Sequence, residues 1–439
     1  MKKVLLVAAL AVAAPLWAQQ SLLDTEFQSE AKEFRADCSD TKKLFDCAEL
    51  LFTGDPLHIA VGSLAPENGF GAGLAFVAHY TPNENWRLYW NADAVATPNQ
   101  SWRAGAYMSA VLIRHPKIGV HEGTAGRKKP GPEYEEMPVF HLYGQGESLN
   151  KLSYYGLGEN SGATPTYFGM TESIAGGNVI WPLGGALHAA LLGEANGRFY
   201  SIHASDPNQP AFAQFGEGIR IRPNLANGHV RLNYSASFQE WAASRASESF
   251  RRFVGNFAHE FPLYQNMRSE APRDLNGPDS CAADYNRMRC PTPSRNLEGS
   301  FGFLFLYTAS YVPAGSSVPF FIDPTLGGSD ISGTPLLPSL PDYRYRGPDL
   351  LLFRGSFEHS IYKWPVGVKF MVDEGRVALT PGDLGFTHLA HSYSAGLTLH
   401  AGGLPVLQFL FSWGGHEGTH TIASIGDTLL GGTSRPSAY

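Results

Sequence analysis

The chain has 439 residues and a net charge of −7, from 33 Lys and Arg against 40 Asp and Glu; only 17% of its residues are charged, against roughly 25% in soluble domains. Its 27 Phe, 8 Trp, 19 Tyr, 48 Gly and 30 Pro disfavour long helices and suit strands and tight turns. Mild acidity with scattered bases excludes the concentrated basic face of a nucleic-acid binder, and a mean hydropathy of −0.16 excludes a bundle of membrane helices.

In chain order, Lys2 and Lys3 precede an apolar run that closes on Leu16-Trp17-Ala18. This reads as a secretory signal peptide over 1–18, since the run falls short of the roughly 20 residues of a membrane anchor. Export puts four cysteines in an oxidising compartment. Cys38 and Cys47 form one closely spaced pair, Cys281 and Cys290 another. Two local disulfides are expected, although the count also allows crossed pairing. Neither spacing is the C-x-x-C of a zinc or redox site. Over 19–56 charges are dense, and Leu44, Cys47, Leu50 and Leu51 recur at helical spacing until Gly54 and Pro56 stop the pattern. A short helical extension is expected there.

From Leu57 the period changes to two. Trp86, Leu88, Trp90 and Ala92 alternate with Arg87, Tyr89, Asn91 and Asp93; Phe253, Phe257 and Phe261 oppose Arg252, Asn256 and Glu260; Val368, Phe370 and Val372 oppose Lys369 and Asp373. Successive strand side chains point to opposite faces, so these are strands with one greasy and one polar face. A soluble sandwich alternates too, but its polar face is rich in Lys and Glu. Here that face carries Gly, Ser, Asn and Gln, and aromatics such as Trp86, Trp102, Tyr311 and Trp413 stand near strand ends. Such a pattern fits a transmembrane barrel with lipid outside, a wet lumen and aromatic girdles. In lipid only closure pairs every backbone group. Sixteen strands are predicted over 57–439, starting near 57, 69, 86, 102, 138, 166, 186, 211, 229, 249, 299, 350, 366, 392, 405 and 421. Long connections fall at 115–137, 265–298 and 312–349. The first strand, from His58 to Ser63, and the last, from Thr421 to Leu430, are both short, which leaves two readings of the seam between them: an ordinary closed seam or a poorly paired one.

Three chemical motifs are set aside. His416-Glu417-Gly418-Thr419-His420 matches the zinc-protease pattern, but Gly414, Gly415 and Gly418 work against the helix that this chemistry needs. Gly69-Phe70-Gly71-Ala72-Gly73 lacks the following helix of a nucleotide loop. The run Arg127-Lys128-Lys129 is either a solvated loop or a contact for anionic headgroups.

Residues 318–379 carry a more specific signal: VPFFIDPTLGGSD at 318–330, DYRYRGPDLLL at 342–352 and VGVKFMVDEGRVAL at 366–379. In this order the Leu-Gly-Gly loop, the Arg-aromatic-Arg stretch and the strand ending in Asp-x-Gly-Arg-Val resemble the bacterial surface antigen family of outer-membrane β-barrels, the superfamily of the outer-membrane protein assembly factors. GSLAPENGFGAGLAFV at 62–77 and YYGLGENSG at 154–162 are also similar. The resemblance implies an all-β, 16-stranded antiparallel transmembrane barrel whose loop at 312–349 folds into the lumen, where an arginine of a Leu-Arg-Gly-aromatic motif meets the Asp-x-Gly strand. Here Leu337-Pro338-Ser339-Leu340 stands at that motif. The expected luminal contact therefore passes to Arg344 or Arg346, reaching Asp373 and Gly375; the alternative is that these arginines are solvated in a wide lumen. With only 19–56 ahead of the barrel, the polypeptide-transport-associated domains of the assembly factors are expected to be missing. The implied role is membrane-protein insertion or translocation in the bacterial outer membrane, with outer-membrane lipid and unfolded outer-membrane proteins as partners. A passive or structural barrel and a secreted soluble β-protein are the alternatives. No enzyme activity, cofactor, metal or nucleic-acid partner is expected.

Overall fold

The computed structural model describes residues 56–438, apart from 84, 113–136, 185–186, 205–206, 227–228, 269–293, 362–365, 402–403, 415–417, 426–431 and 433–434. The expected signal peptide, the expected helical extension as far as residue 55, all four cysteines and the Arg127-Lys128-Lys129 run lie outside the described residues.

Among the described residues sixteen strands of seven or more residues follow in order: β1 (Leu57–Ser63), β2 (Phe70–Asn83), β3 (Trp86–Ala96), β4 (Trp102–Leu112), β5 (Val139–Tyr154), β6 (Thr166–Gly184), β7 (Ala189–His203), β8 (Ala211–Ile221), β9 (Val230–Ala243), β10 (Phe250–Arg268), β11 (Ser294–Tyr311), β12 (Asp349–Ser360), β13 (Val366–Ala378), β14 (Ala390–Ala401), β15 (Leu404–Trp413) and β16 (Thr419–Ile425). The period-two pattern locates them closely, and the expected starts at 57, 86, 102, 166, 211 and 366 coincide with the observed ones. Each strand pairs antiparallel with the next, from Leu57 opposite Phe76 at one end of the sheet to Trp413 opposite Thr419 at the other. The two-residue strand Asn224–Leu225 adds a small pairing to β9. Where the ends of the sheet meet, Cα atoms of β1 and β16 come within 8 Å, yet no ladder joins them among the described residues.

The outer face is apolar and aromatic. Phe303, Phe370, Phe409 and Phe411 are each at least half exposed. Rings stack across neighbouring strands, with Phe257–Phe305 at 5.8 Å, Phe305–Phe353 at 4.9 Å and Phe301–Phe357 at 5.0 Å. Cross-strand aromatic pairs add stability beyond the area they bury. No second protein layer covers these rings among the described residues.

The inner face differs along its length. At the end of the sheet where β1 turns into β2, inward Leu149, Leu152, Phe168, Met170, Tyr200, Phe212, Trp241 and Phe250 form one hydrophobic core with Val318, Phe321 and Tyr343 of the loop between β11 and β12. Deeper in, the wall is polar: Asp93, Asn178, Glu194, Asn196, Gln214 and Gln239 are all buried.

Candidate functional site: the inward-folded loop and its seat

The loop over 312–348 is held by three kinds of contact. Its first part forms a single 3-10 turn, Phe320–Ile322, led by Pro319, whose fixed φ suits the entry. The turn drives two rings into the wall: Phe320 lies 4.9 Å from Tyr154 and 5.1 Å from Phe168, and Phe321 lies 5.1 Å from Tyr200. The Leu-Gly-Gly stretch follows. Gly327 and Gly328 sit at φ +116° and +58°, and a Cβ on Gly328 would fall 2.1 Å from Asp342 Oδ1. Only glycine fits a left-handed backbone so close to a neighbouring segment. Gly327 N donates to the Leu336 carbonyl at 2.8 Å, Tyr343 N to the Gly327 carbonyl at 3.0 Å, and Ser329 N to Asp342 Oδ1 at 2.8 Å. A two-residue ladder, Thr325–Leu326 against Tyr345–Arg346, closes the loop on itself.

The third contact is with β12 to β14. Leu326, Leu336, Leu337 and Leu340 pack on Leu350, Leu352 and Val377. Asp373, with 0% of its surface exposed, points in from β13. Its carboxylate receives Arg354 Nε and Nη2 of β12, each at 2.7 Å, and the backbone N–H of Leu337 at 3.1 Å. Arg354 also donates through Nη2 to the Pro335 carbonyl. Ser339 N donates to Ser392 Oγ of β14 at 2.9 Å. Where the family motif has an arginine, this chain therefore docks Leu337-Pro338-Ser339-Leu340 through backbone N–H groups, and the cation comes from the wall.

This corrects the expected pairing. Arg344 and Arg346 are both buried but turn elsewhere. Arg344 donates to Ser161 Oγ at 2.8 Å and lies over the rings of Tyr155 and Tyr345. Arg346 donates to the Phe320 carbonyl at 2.9 Å and lies over Phe168. The reason is register. Arg354 stands directly opposite Asp373 in the β12–β13 ladder, and a wall residue reaches that carboxylate without ordering any loop backbone. Gly375 does serve the seat: a Cβ there would meet Leu326 Cδ1 at 3.2 Å and Leu352 Cδ1 at 2.9 Å.

Beneath Phe320 lies a charged cluster. Asp323 is 5% exposed, and neither of its carboxylate oxygens is hydrogen-bonded among the described residues. Burial pushes its carboxyl up to about 8, against the opposing pull of Arg252 and Arg346 and with a small push from Asp349. Arg252 itself donates to Ser310 Oγ at 3.0 Å and to the Ile322 carbonyl at 3.2 Å.

Two functional residues escape sequence reading. Arg354 shares inward parity with Leu350 and Leu352, but its partner is fixed only by strand register. Arg435, beyond the last strand, gives no periodic signal, yet it lies 3.6 Å from inward Glu194. Of the zinc-like motif, His420 stands in β16 opposite Ser412, while His416 and Glu417 lie outside the described residues. No group of three or more His, Cys, Asp or Glu among the described residues could hold a metal.

No protein-family model matches the chain, and no curated protein is significantly similar to it. Among solved structures, CdiB from Acinetobacter baumannii is 10% identical with a TM-score of 0.49 over 82% of this chain and 56% of that one. BamA from Haemophilus ducreyi lacking POTRA domains 1–3 is 11% identical with a TM-score of 0.48 over 84% and 69%. CdiB from Escherichia coli is 10% identical with a TM-score of 0.48 over 84% and 61%. The chain thus spans under two thirds of the length of either CdiB. The architecture described above rests on the strand pairings, not on these likenesses.

Proposed function

We propose that this chain is an outer-membrane β-barrel of the surface-antigen type, exported by residues 1–18, that inserts or translocates polypeptides through its lumen and the β1–β16 seam. The observation that carries this reading is the seam. Every other pair of neighbouring strands is joined by an antiparallel ladder, while the short β1 and β16 approach without one among the described residues. Unpaired strand edges are templates for a further strand, and in hydrocarbon each unmet backbone group is costly. Such a seam suits the transient pairing of a client strand.

The loop over 312–348 supports the same reading. It fills one end of the lumen with apolar side chains, which disfavours an always-open pore. The soluble alternative would leave the aromatic outer face in water, at roughly 25 cal/mol for each Å² of apolar surface. The partners are outer-membrane lipid and unfolded outer-membrane proteins, and no cofactor takes part. The test joins β1 to β16 through a cysteine pair in the purified chain. Crosslinking should abolish insertion of an unfolded barrel into proteoliposomes, and reduction should restore it. Insertion unaffected by the crosslink would overturn the proposal.

A further inference from the structure

Two inward carboxylates of the described wall take their cations from the adjacent strand, Asp93 from Arg103 at 2.7 Å and Glu172 from Arg198 at 2.9 Å. Glu194 on β7 differs. Its side chain is 3% exposed, and it accepts the Tyr143 hydroxyl and the Asn196 amide. Its cation is Arg435, which belongs to no strand and lies past the end of β16 at Ile425. A carboxylate buried in the wall is costly without a charge partner, so this segment completes the wall.

The same segment is held at further points. The Arg435 guanidinium lies 5.2 Å over the Tyr143 ring. Asn178 Nδ2 on β6 donates to the Pro436 carbonyl at 2.9 Å. Ala438 is 3% exposed. A carboxylate beside an aromatic face is selective for guanidinium. An amide that reads a main-chain carbonyl recognises extended backbone of any sequence. From this geometry we infer that Tyr143, Asn178 and Glu194 form a luminal binding site for an extended, arginine-bearing peptide, occupied here in cis by residues 435–438. A polypeptide threading the lumen along β5, β6 and β7 competes with the chain's own C-terminal segment for that site. The inference rests on the sheet enclosing a lumen.

The test uses the detergent-solubilised protein and a fluorescent peptide of residues 431–439, followed by anisotropy. A chain ending at Leu430 should bind the peptide about tenfold or more tightly than the full chain, whose site is filled. Glu194→Gln in the shortened chain, or Arg435→Glu in the peptide, should weaken binding by about tenfold. Arg435→Glu in the full chain, which keeps its tail, should open the site to the added peptide. Equal binding by full and shortened chains, or equal binding of the glutamate peptide, would overturn the inference. Electrophoresis of the same samples before and after boiling separates the two readings. A full chain that migrates compactly until boiled, paired with tail-independent binding, removes only the site. A full chain whose mobility ignores boiling removes the barrel and the site with it.

Discussion

At the scale of single residues, the contact between Arg354 and Asp373 decides whether the loop stays seated. Both side chains are almost fully buried, and the guanidinium grips the carboxylate in two-point fashion. Removing one partner of a buried pair strands the other charge at about 3–5 kcal/mol. Arg354→Ala should therefore lower heat stability and expose the loop to trypsin at Arg344 and Arg346. Arg354→Lys should rescue little, because an ammonium cannot reproduce the fork. Arg344→Ala, which removes a hydrogen bond to Ser161 and contacts with the rings of Tyr155 and Tyr345 but strands no carboxylate at Asp373, should act more weakly on melting. Asp323 gives the seat a pH dependence. In the seated loop its carboxyl titrates near 8, whereas the released loop returns it to the ordinary carboxylate range. Seating thus takes up a proton between these limits, so the loop is held most firmly below about pH 4 and progressively less as pH rises to about 8. Trypsin sensitivity should rise across that window, and Asp323→Asn should flatten the profile. A profile unchanged by Asp323→Asn would remove Asp323 as the titrating group.

At the scale of elements, loop and strands obey different rules. Strand positions follow from alternation, so one outward ring can be replaced by another at little cost. A charge is different. Phe305→Lys on the outer face of β11 should destabilise the sheet by about 2–4 kcal/mol if that position meets the bilayer centre. Refolding into vesicles at graded urea concentrations would show the loss, and a neutral result would argue that the rings do not meet hydrocarbon. The loop depends instead on close approach. Gly328→Ala would place a methyl group against Asp342 on a left-handed backbone. It should release the loop as Arg354→Ala does while leaving the strands intact, which separates loop docking from folding of the sheet by protease mapping against boiled and unboiled migration. These motifs were legible in the sequence because glycine pairs and Asp-x-Gly spacing report local backbone needs. The identity of the arginine was not, because Arg354 is defined by which strand lies beside it.

At the scale of the whole molecule, the sequence determined the number of strands, their approximate starts and which face of each is apolar, since a two-residue period belongs to the backbone and needs no partner to be read. It also marked both end strands as short. Tertiary structure alone decided the rest: that Arg354 meets Asp373, that Phe320 and Phe321 complete a core with side chains from β5 to β10, that β1 and β16 meet without a ladder among the described residues, and that Arg435 lies against Glu194. The first contact is set by the register between two consecutive strands, which alternation within either strand does not reveal. The other three join residues far apart in the chain, which no local preference brings within reach.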